Sequence, residues 1–206
     1  MSHINGSTLA ERRTTASDYA RFLQAWVRRP RQNGSIVPSS PWLGRLMATQ
    51  IDPAGGRVME LGGGTGALTR EILAIGLPVD QLEVVEINEE FARNLRRTLP
   101  GVKIIETPAQ SVAAEAAGGQ GGYQCIISGL PLLAMRELQH DIIAEAFTLL
   151  RPGGTFVQFT YSPRPPVARR VARALDLEVQ KVGTIMRNVP PATVFSYCRA
   201  GERAGG

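Results

Sequence analysis

Val58-Met59-Glu60-Leu61-Gly62-Gly63-Gly64-Thr65-Gly66 is the stretch that decides how the chain is read. Val58 to Leu61 has the composition of a short buried strand. Four of the next five residues are glycines, which let a backbone turn tightly against a ligand. Leu68, Ile72 and Leu73 then restore helical spacing. The unit is strand, glycine loop and helix, and three nucleotide-type ligands use it. A phosphate-gripping loop is excluded, because no Gly-Lys-Ser/Thr follows. A dinucleotide site fits the glycines alone, since Gly62, Gly64 and Ala67 match its looser spacing. Glu60 separates the two that remain. A carboxylate at the strand end would repel a pyrophosphate, but it suits a ligand bearing an ammonium and a sulfonium. Glu86 ends the next strand, Leu82 to Val85, where a carboxylate can accept from two ribose hydroxyls. Together the two acids point to S-adenosylmethionine.

Composition sets the frame around this unit. At 206 residues one domain with a sizeable core is the expectation. Hydrophobic content of 43% with 20% charged residues suits a soluble globular protein. No apolar run approaches the roughly 18 residues that span a bilayer, and no secretory signal opens the sequence. Cys125 and Cys198 lie in apolar runs and read as buried free thiols of a reducing cytosol. His3 and His140 are too isolated to suggest a metal. Residues 1–31 carry six arginines against Glu11 and Asp18, a net of +4 out of +5 for the whole chain. An anionic partner should therefore meet the N-terminus first.

Residues 1–16 are polar and patternless, a mobile tail by composition. Over 17–30, Tyr19, Phe22, Leu23, Trp26 and Val27 form one apolar stripe with Arg21, Arg28 and Arg29 off it. That pattern suits a helix packed on its own core or one lying in a membrane interface. Residues 31–200 then alternate helices and strands, and 201–206 fray. Ser40-Pro41 starts a helix in the cap-then-proline order. A helix follows Asn88, a strand runs from Val102 to Ile105, and an alanine-rich helix from Ala109 to about Ala117. Tyr123 to Ser128 is a fourth strand, Met135 to Leu150 a long helix, and Thr155 to Tyr161 a fifth strand. A short basic helix over Val167 to Leu175 precedes two β runs, Leu177 to Met186 and Thr193 to Arg199. This order predicts an α/β, Rossmann-like, seven-stranded sheet, mostly parallel, with the last two strands antiparallel. Ligands bind beyond the carboxyl ends of such strands, which brings together the glycine loop, Glu86, Ser128 and Tyr161.

The motifs carry a resemblance. The glycine loop with Glu86 resembles class I S-adenosylmethionine-dependent methyltransferases, and Ser128-Gly129-Leu130-Pro131-Leu132 stands where N-methyltransferases have an Asn-Leu-Pro-Tyr type loop. Those two motifs, Phe156-Val157-Gln158-Phe159-Thr160-Tyr161-Ser162 and Asn188-Val189-Pro190-Pro191-Ala192 follow the order seen in bacterial phospholipid N-methyltransferases. The likeness spans about residues 17–199. It implies stepwise methylation of phosphatidylethanolamine towards phosphatidylcholine, at the inner face of the cytoplasmic membrane, with S-adenosylhomocysteine as the spent donor. It further implies donor contacts from Ser39, Ser40, Glu60, Gly62, Gly64, Gly66, Glu86, Ile87, Gln110, Ser128, Gly129 and Leu130. No metal is implied. The amine must lose a proton before it attacks. Tyr161, Ser128, Tyr19 and the substrate's own phosphate are the candidates, and the tyrosines are also placed for cation–π contact with the product. One position departs from the family. An Asp that accepts from the adenine amino group is replaced by Glu106-Thr107-Pro108-Ala109-Gln110, so Glu106, Gln110 or a backbone group must substitute.

Three other readings compete. An RNA adenine dimethyltransferase would stack a flipped base on an aromatic beside the Asn-Leu-Pro segment, where this chain has Leu132. Its positive charge also sits in one helix instead of a broad basic face, so no nucleic acid is the expectation. A soluble small-amine methyltransferase has no need of an arginine-rich aromatic helix. A non-enzymatic membrane protein would not need Glu60 and Glu86. The partners expected are therefore a membrane phospholipid and an anionic lipid surface, met by a monomer.

Overall fold

The computed structural model describes residues 40–188 and 190–202. The tail, the amphipathic stripe, Tyr19 and Ser39 lie outside the described residues. Helix α1 (Pro41–Ala48) starts as its sequence demands, with the Ser40 hydroxyl accepting from the Leu43 N–H at 3.3 Å. Strand β1 (Arg57–Leu61) then leads through the glycine loop into α2 (Ala67–Ala74). After β2 (Leu82–Val85), Asn88 caps α3 (Glu89–Thr98) by accepting from Phe91 N–H at 3.1 Å. Acidic Glu89 and Glu90 lie at its start and Arg96 and Arg97 at its end, each matched to the helix dipole. Strands β3 (Lys103–Ile105), β4 (Tyr123–Ser128) and β5 (Leu150–Thr160) are separated by a 3₁₀ segment and α4 (Gln139–Leu149). Helix α5 (Arg169–Ala174), β6 (Leu177–Ile185) and β7 (Ala192–Arg199) complete the chain.

The seven strands form one sheet in the order β3-β2-β1-β4-β5-β7-β6. Strands β1 to β5 pair parallel, and β7 runs antiparallel to both β5 and β6. This is the Rossmann-like architecture the alternation predicts. Period-two side-chain alternation feeds two cores. Met59, Leu61, Ile126 and Phe156 face α4 and its Ile142, Ala146 and Leu149. Val58, Cys125, Ile127 and Val157 face α1 and α2, with Leu43, Met47 and Ile72. Burial of apolar surface on both faces, at about 25 cal/mol per Å², is what holds the layers together. Cys125 and Cys198 are buried free thiols, as read, and burial pushes the Cys125 thiol up to about 12.

Three elements differ from their sequence reading. Strand β5 opens at Leu150, five residues before the expected Thr155, and pairs there with Tyr123 of β4. The alanine-rich helix is a 3₁₀ segment over Ala109–Ala114, whose buried residues, Ala109 and Val112, stand three apart, the 3₁₀ repeat. Helix α4 begins at Gln139, four residues later than expected. Ala134, Met135 and Leu138 make three-residue turns instead, and the buried Gln139 side chain ties them down by donating to the Leu132 and Pro166 carbonyls. The amino edge of the sheet holds a polar cluster. Buried Glu83 accepts from the Tyr123 hydroxyl at 2.7 Å and the Ala117 N–H at 3.0 Å, with Arg57 at 3.4 Å and Lys103 at 3.3 Å. It lies at the sheet edge opposite the glycine loop and braces four strands at their starts.

Candidate active site

The glycine loop divides its labour. A side chain on Gly63 would run into Val84 and into Leu95 Cδ1 at 2.8 Å, so this glycine exists to let loop and α3 pack. Gly64 has φ +51 and meets nothing within 4 Å, so its missing side chain leaves open space on the outer face of the loop. Gly62 and Gly63 donate to the Val85 carbonyl at 2.8 and 3.2 Å, and Gly66 caps α2 in the left-handed region. The loop is thus fixed to β2 and to the helix before any ligand arrives.

Glu86 does the same from the side. One carboxylate oxygen accepts from Gly64 N–H at 2.8 Å and the other from Asn88 N–H at 2.7 Å. A carboxylate has about four acceptor positions, so two remain after these bonds. Burial lifts its carboxyl above the usual range, and the two backbone donors oppose that. Ile87 beside it is partly buried against the α4 core. Glu60 is different. It is fully buried on the Val58 face of β1, and neither oxygen finds a hydrogen-bond partner. Thr69 lies close enough to oppose the shift, although its hydroxyl completes no bond either. Burial, with Glu86 adding repulsion, pushes the Glu60 carboxyl up to about 8. An unpartnered buried acid of this kind is rare, and both of its oxygens remain without a donor.

The segment after β4 forms the other wall. Ser128 is fully buried, and its hydroxyl accepts from Leu130 N–H at 3.2 Å. Gly129 donates to the Leu61 carbonyl at 2.8 Å, and Leu130 O accepts from Gln158 Nε2 at 3.0 Å. Among the described residues nothing donates to the Gly129 carbonyl. Tyr161 follows β5, edge-on to Phe159 at 5.5 Å, with the Asn188 side chain close to its hydroxyl. Asn188 is itself buried and donates to Pro190 O at 2.8 Å. Burial raises the Tyr161 hydroxyl above its ordinary range, with Asn188 opposing, so it stays protonated at neutral pH. The sequence motifs around Gln158 and Asn188 assign neither side chain a task. The signal at Gln158 is a polar residue inside an otherwise apolar β run, whereas Asn188 stands in the β6–β7 connection. The structure places Ser40 at the start of α1, where its hydroxyl is spent on the cap.

No family model matches the chain. A curated ornithine lipid N-methyltransferase from Singulisphaera acidiphila is 33% identical over 189 residues, covering 88% of this chain and 96% of that protein. The chain is a class I S-adenosylmethionine-dependent methyltransferase. A ubiquinone biosynthesis O-methyltransferase from Nitrosococcus oceani is 25% identical, covering 90% of this chain and 80% of that protein. Among solved structures, the Burkholderia thailandensis 1,6-didemethyltoxoflavin-N1-methyltransferase, holding S-adenosylhomocysteine, superposes with a TM-score of 0.61. It is 17% identical and covers 95% of this chain and 93% of that one, which supports the fold.

For a methyltransferase of this class the segment after β3 is unusual, and the structure narrows what replaces the missing Asp. Glu106 is ion-paired with Arg96, whose guanidinium also donates to Ile104 O at 3.2 Å. Gln110 Oε1 is buried without a partner. Gln110 thus offers a buried acceptor with no partner, whereas Glu106 shares its carboxylate with Arg96. Among the described residues no cluster of metal-ligating side chains occurs, and no helix is long and apolar enough to cross a membrane.

Proposed function

We propose that this methyltransferase methylates the amine of a membrane lipid headgroup, phosphatidylethanolamine in stepwise fashion towards phosphatidylcholine. The observation that carries a lipid substrate is the 33% identity, across nearly its whole length, to an enzyme named for a lipid amine. That name also favours a second reading, an ornithine-bearing lipid as acceptor. Both substrates present a lipid-borne amine, and the site residues serve either.

Bound S-adenosylmethionine supplies a methyl group carried on a positively charged sulfur. Glu60 would face the donor's cationic groups, Glu86 the ribose through its two open acceptor positions, and Gln110 Oε1 the adenine amino group. The open face of Gly64 admits the ligand, with Gly62, Gly66, Ile87 and Leu130 shaping the cavity around it. Replacing Glu86 with alanine removes both the ribose acceptor and the brace on Gly64 and Asn88. Donor affinity should fall by roughly 10- to 100-fold, the loss of about 1.5–3 kcal/mol for a charged acceptor. Gly64→Val fills the open space and forces a branched residue into a left-handed backbone. Its donor binding should fall below detection in calorimetry while the fold persists by circular dichroism. Wild-type affinity in both variants would move the donor elsewhere.

The acceptor amine, with a pKa of about 10, must arrive or become uncharged. Tyr161 is too weak an acid to serve as phenolate, and the Ser128 hydroxyl accepts from Leu130 N–H with one lone pair left. The Gly129 carbonyl, with the Tyr161 and Ser128 hydroxyls, would accept from the amine and aim its lone pair, so positioning supplies the rate. Tyr161→Phe should cut turnover by about tenfold, one neutral hydrogen bond's worth. Tyr161→Ala should cut it further by removing the ring that faces the growing positive charge. An alanine variant at full rate would take Tyr161 out of the reaction. The deciding assay offers labelled S-adenosylmethionine with phosphatidylethanolamine vesicles, ornithine-lipid vesicles or ribosomal RNA. Label entering the RNA, or neither lipid, overturns the proposal.

A further inference from the structure

The carboxyl edge of the sheet carries a surface feature that donor binding does not use. Trp42, in the first turn of α1, is 48% exposed. The Arg45 and Arg187 guanidiniums lie over its indole at 5.5 and 5.6 Å from the ring centre. Met186, at the β6–β7 turn beside Arg187, is 72% exposed, the most of any large apolar residue described. Arg45 is paired with Glu71 at 3.0 Å, whereas Arg187 has no ion pair among the described residues. The next residue after Arg187 is Asn188, whose side chain lies close to the Tyr161 hydroxyl. The segment leaving β5 at this same edge, residues 161–175, holds four arginines and no acidic residue.

A soluble surface gains nothing from an exposed methionine adjoining an arginine that, with a second arginine, clasps an exposed tryptophan. A bilayer headgroup layer uses all of these groups. The indole sits at the interface, its cationic neighbours meet phosphates, and the thioether reaches the acyl boundary. We infer that Trp42, Arg45, Met186 and Arg187 form a membrane contact on the folded domain, separate from residues 1–39, which seats the site's rim on an anionic bilayer. The inference rests on the reading that the substrate is a lipid. It adds the orientation: the carboxyl edge faces the membrane, so an amine headgroup reaches Tyr161 without leaving the interface.

Trp26 and Trp42 are the two tryptophans of the chain, so Trp26→Phe in the full-length protein makes Trp42 the sole indole reporter. Vesicles rich in phosphatidylglycerol should shift its emission to the blue, and brominated acyl chains should quench it. Vesicles of phosphatidylcholine alone should do so weakly. In the wild-type background, Met186→Asp with Arg187→Glu should lower affinity for the anionic vesicles by roughly tenfold or more, with S-adenosylhomocysteine binding unchanged. Undiminished binding of that variant, or bound protein whose Trp42 is not quenched, overturns the inference. So does a Trp42 emission already blue without vesicles, which would mean that residues 1–39 or a second copy cover the patch. The two readings fail separately. Quenching without lipid methylation sinks the lipid substrate, and lipid methylation without quenching sinks this contact.

Discussion

Glu83→Ala should lower the unfolding free energy by about 3 kcal/mol, the low end of what breaking a buried ion pair costs. The low end applies because Arg57 and Lys103 are partly exposed and regain water when the carboxylate goes. The remainder of the cost is internal. The Tyr123 hydroxyl, wholly buried, and the Ala117 N–H both lose their acceptor. Glu83→Gln keeps one acceptor oxygen at the same reach and should lose about half as much. Urea unfolding followed by circular dichroism measures both. Because the cluster stands at the amino edge, calorimetric donor affinity should be unchanged in either variant under native conditions. An alanine variant as stable as the parent would mean that Glu83 gains no net stability from its four partners.

That cluster marks the limit of what the sequence discloses. The Val58–Leu61 strand, the Asn88 and Ser40 caps and the β6–β7 pairing are local: each is written in a window of a few residues, by alternation or by a cap. Glu83 reads in the sequence as an interruption of an apolar run, because Tyr123, Arg57 and Lys103 come from three other strands. The α4 start was misplaced for a similar reason. Met135 and Leu138 fit helical spacing, but Gln139 is bonded to Pro166 and Ala168, far along the chain, and this fixes the preceding turns. The site shows the same divide. The glycine loop and Glu86 were legible as a motif, yet Glu86 proves also to be the brace on Gly64, a task no motif spells out. Glu106 and Gln110 are equal candidates in the sequence, and only the fold shows that Arg96 pairs with the first. Asn188 lies 27 positions from Tyr161, and only the β5–β7–β6 arrangement makes them neighbours.

Glu60 carries the other large expectation, because its burial sets stability against donor binding. Its folded pKa of about 8 stands above the ordinary 4.5 of a glutamate carboxyl, so the native state holds the proton more tightly than the unfolded chain. The sign follows. Stability from this group is fully present below pH 4.5 and is lost as pH rises to 8, by on the order of 5 kcal/mol across that window. Glu60→Gln cannot ionise, so the ligand-free variant should match the parent in acid and exceed its thermal stability at pH 8 and above. Binding runs the opposite way. A donor ammonium or sulfonium favours the carboxylate, so below pH 8 the ligand must expel a proton. Affinity for S-adenosylhomocysteine should therefore rise with pH, by up to about tenfold per unit, and level off above 8. In Glu60→Gln this component of the slope should vanish and affinity at pH 8 should drop. Calorimetry in two buffers of different ionisation enthalpy reads the proton directly: near one released per ligand at pH 7 in the parent, and fewer in the variant. A parent that binds without proton release, with the same pH slope as Glu60→Gln, would show that Glu60 is already ionised in the free enzyme.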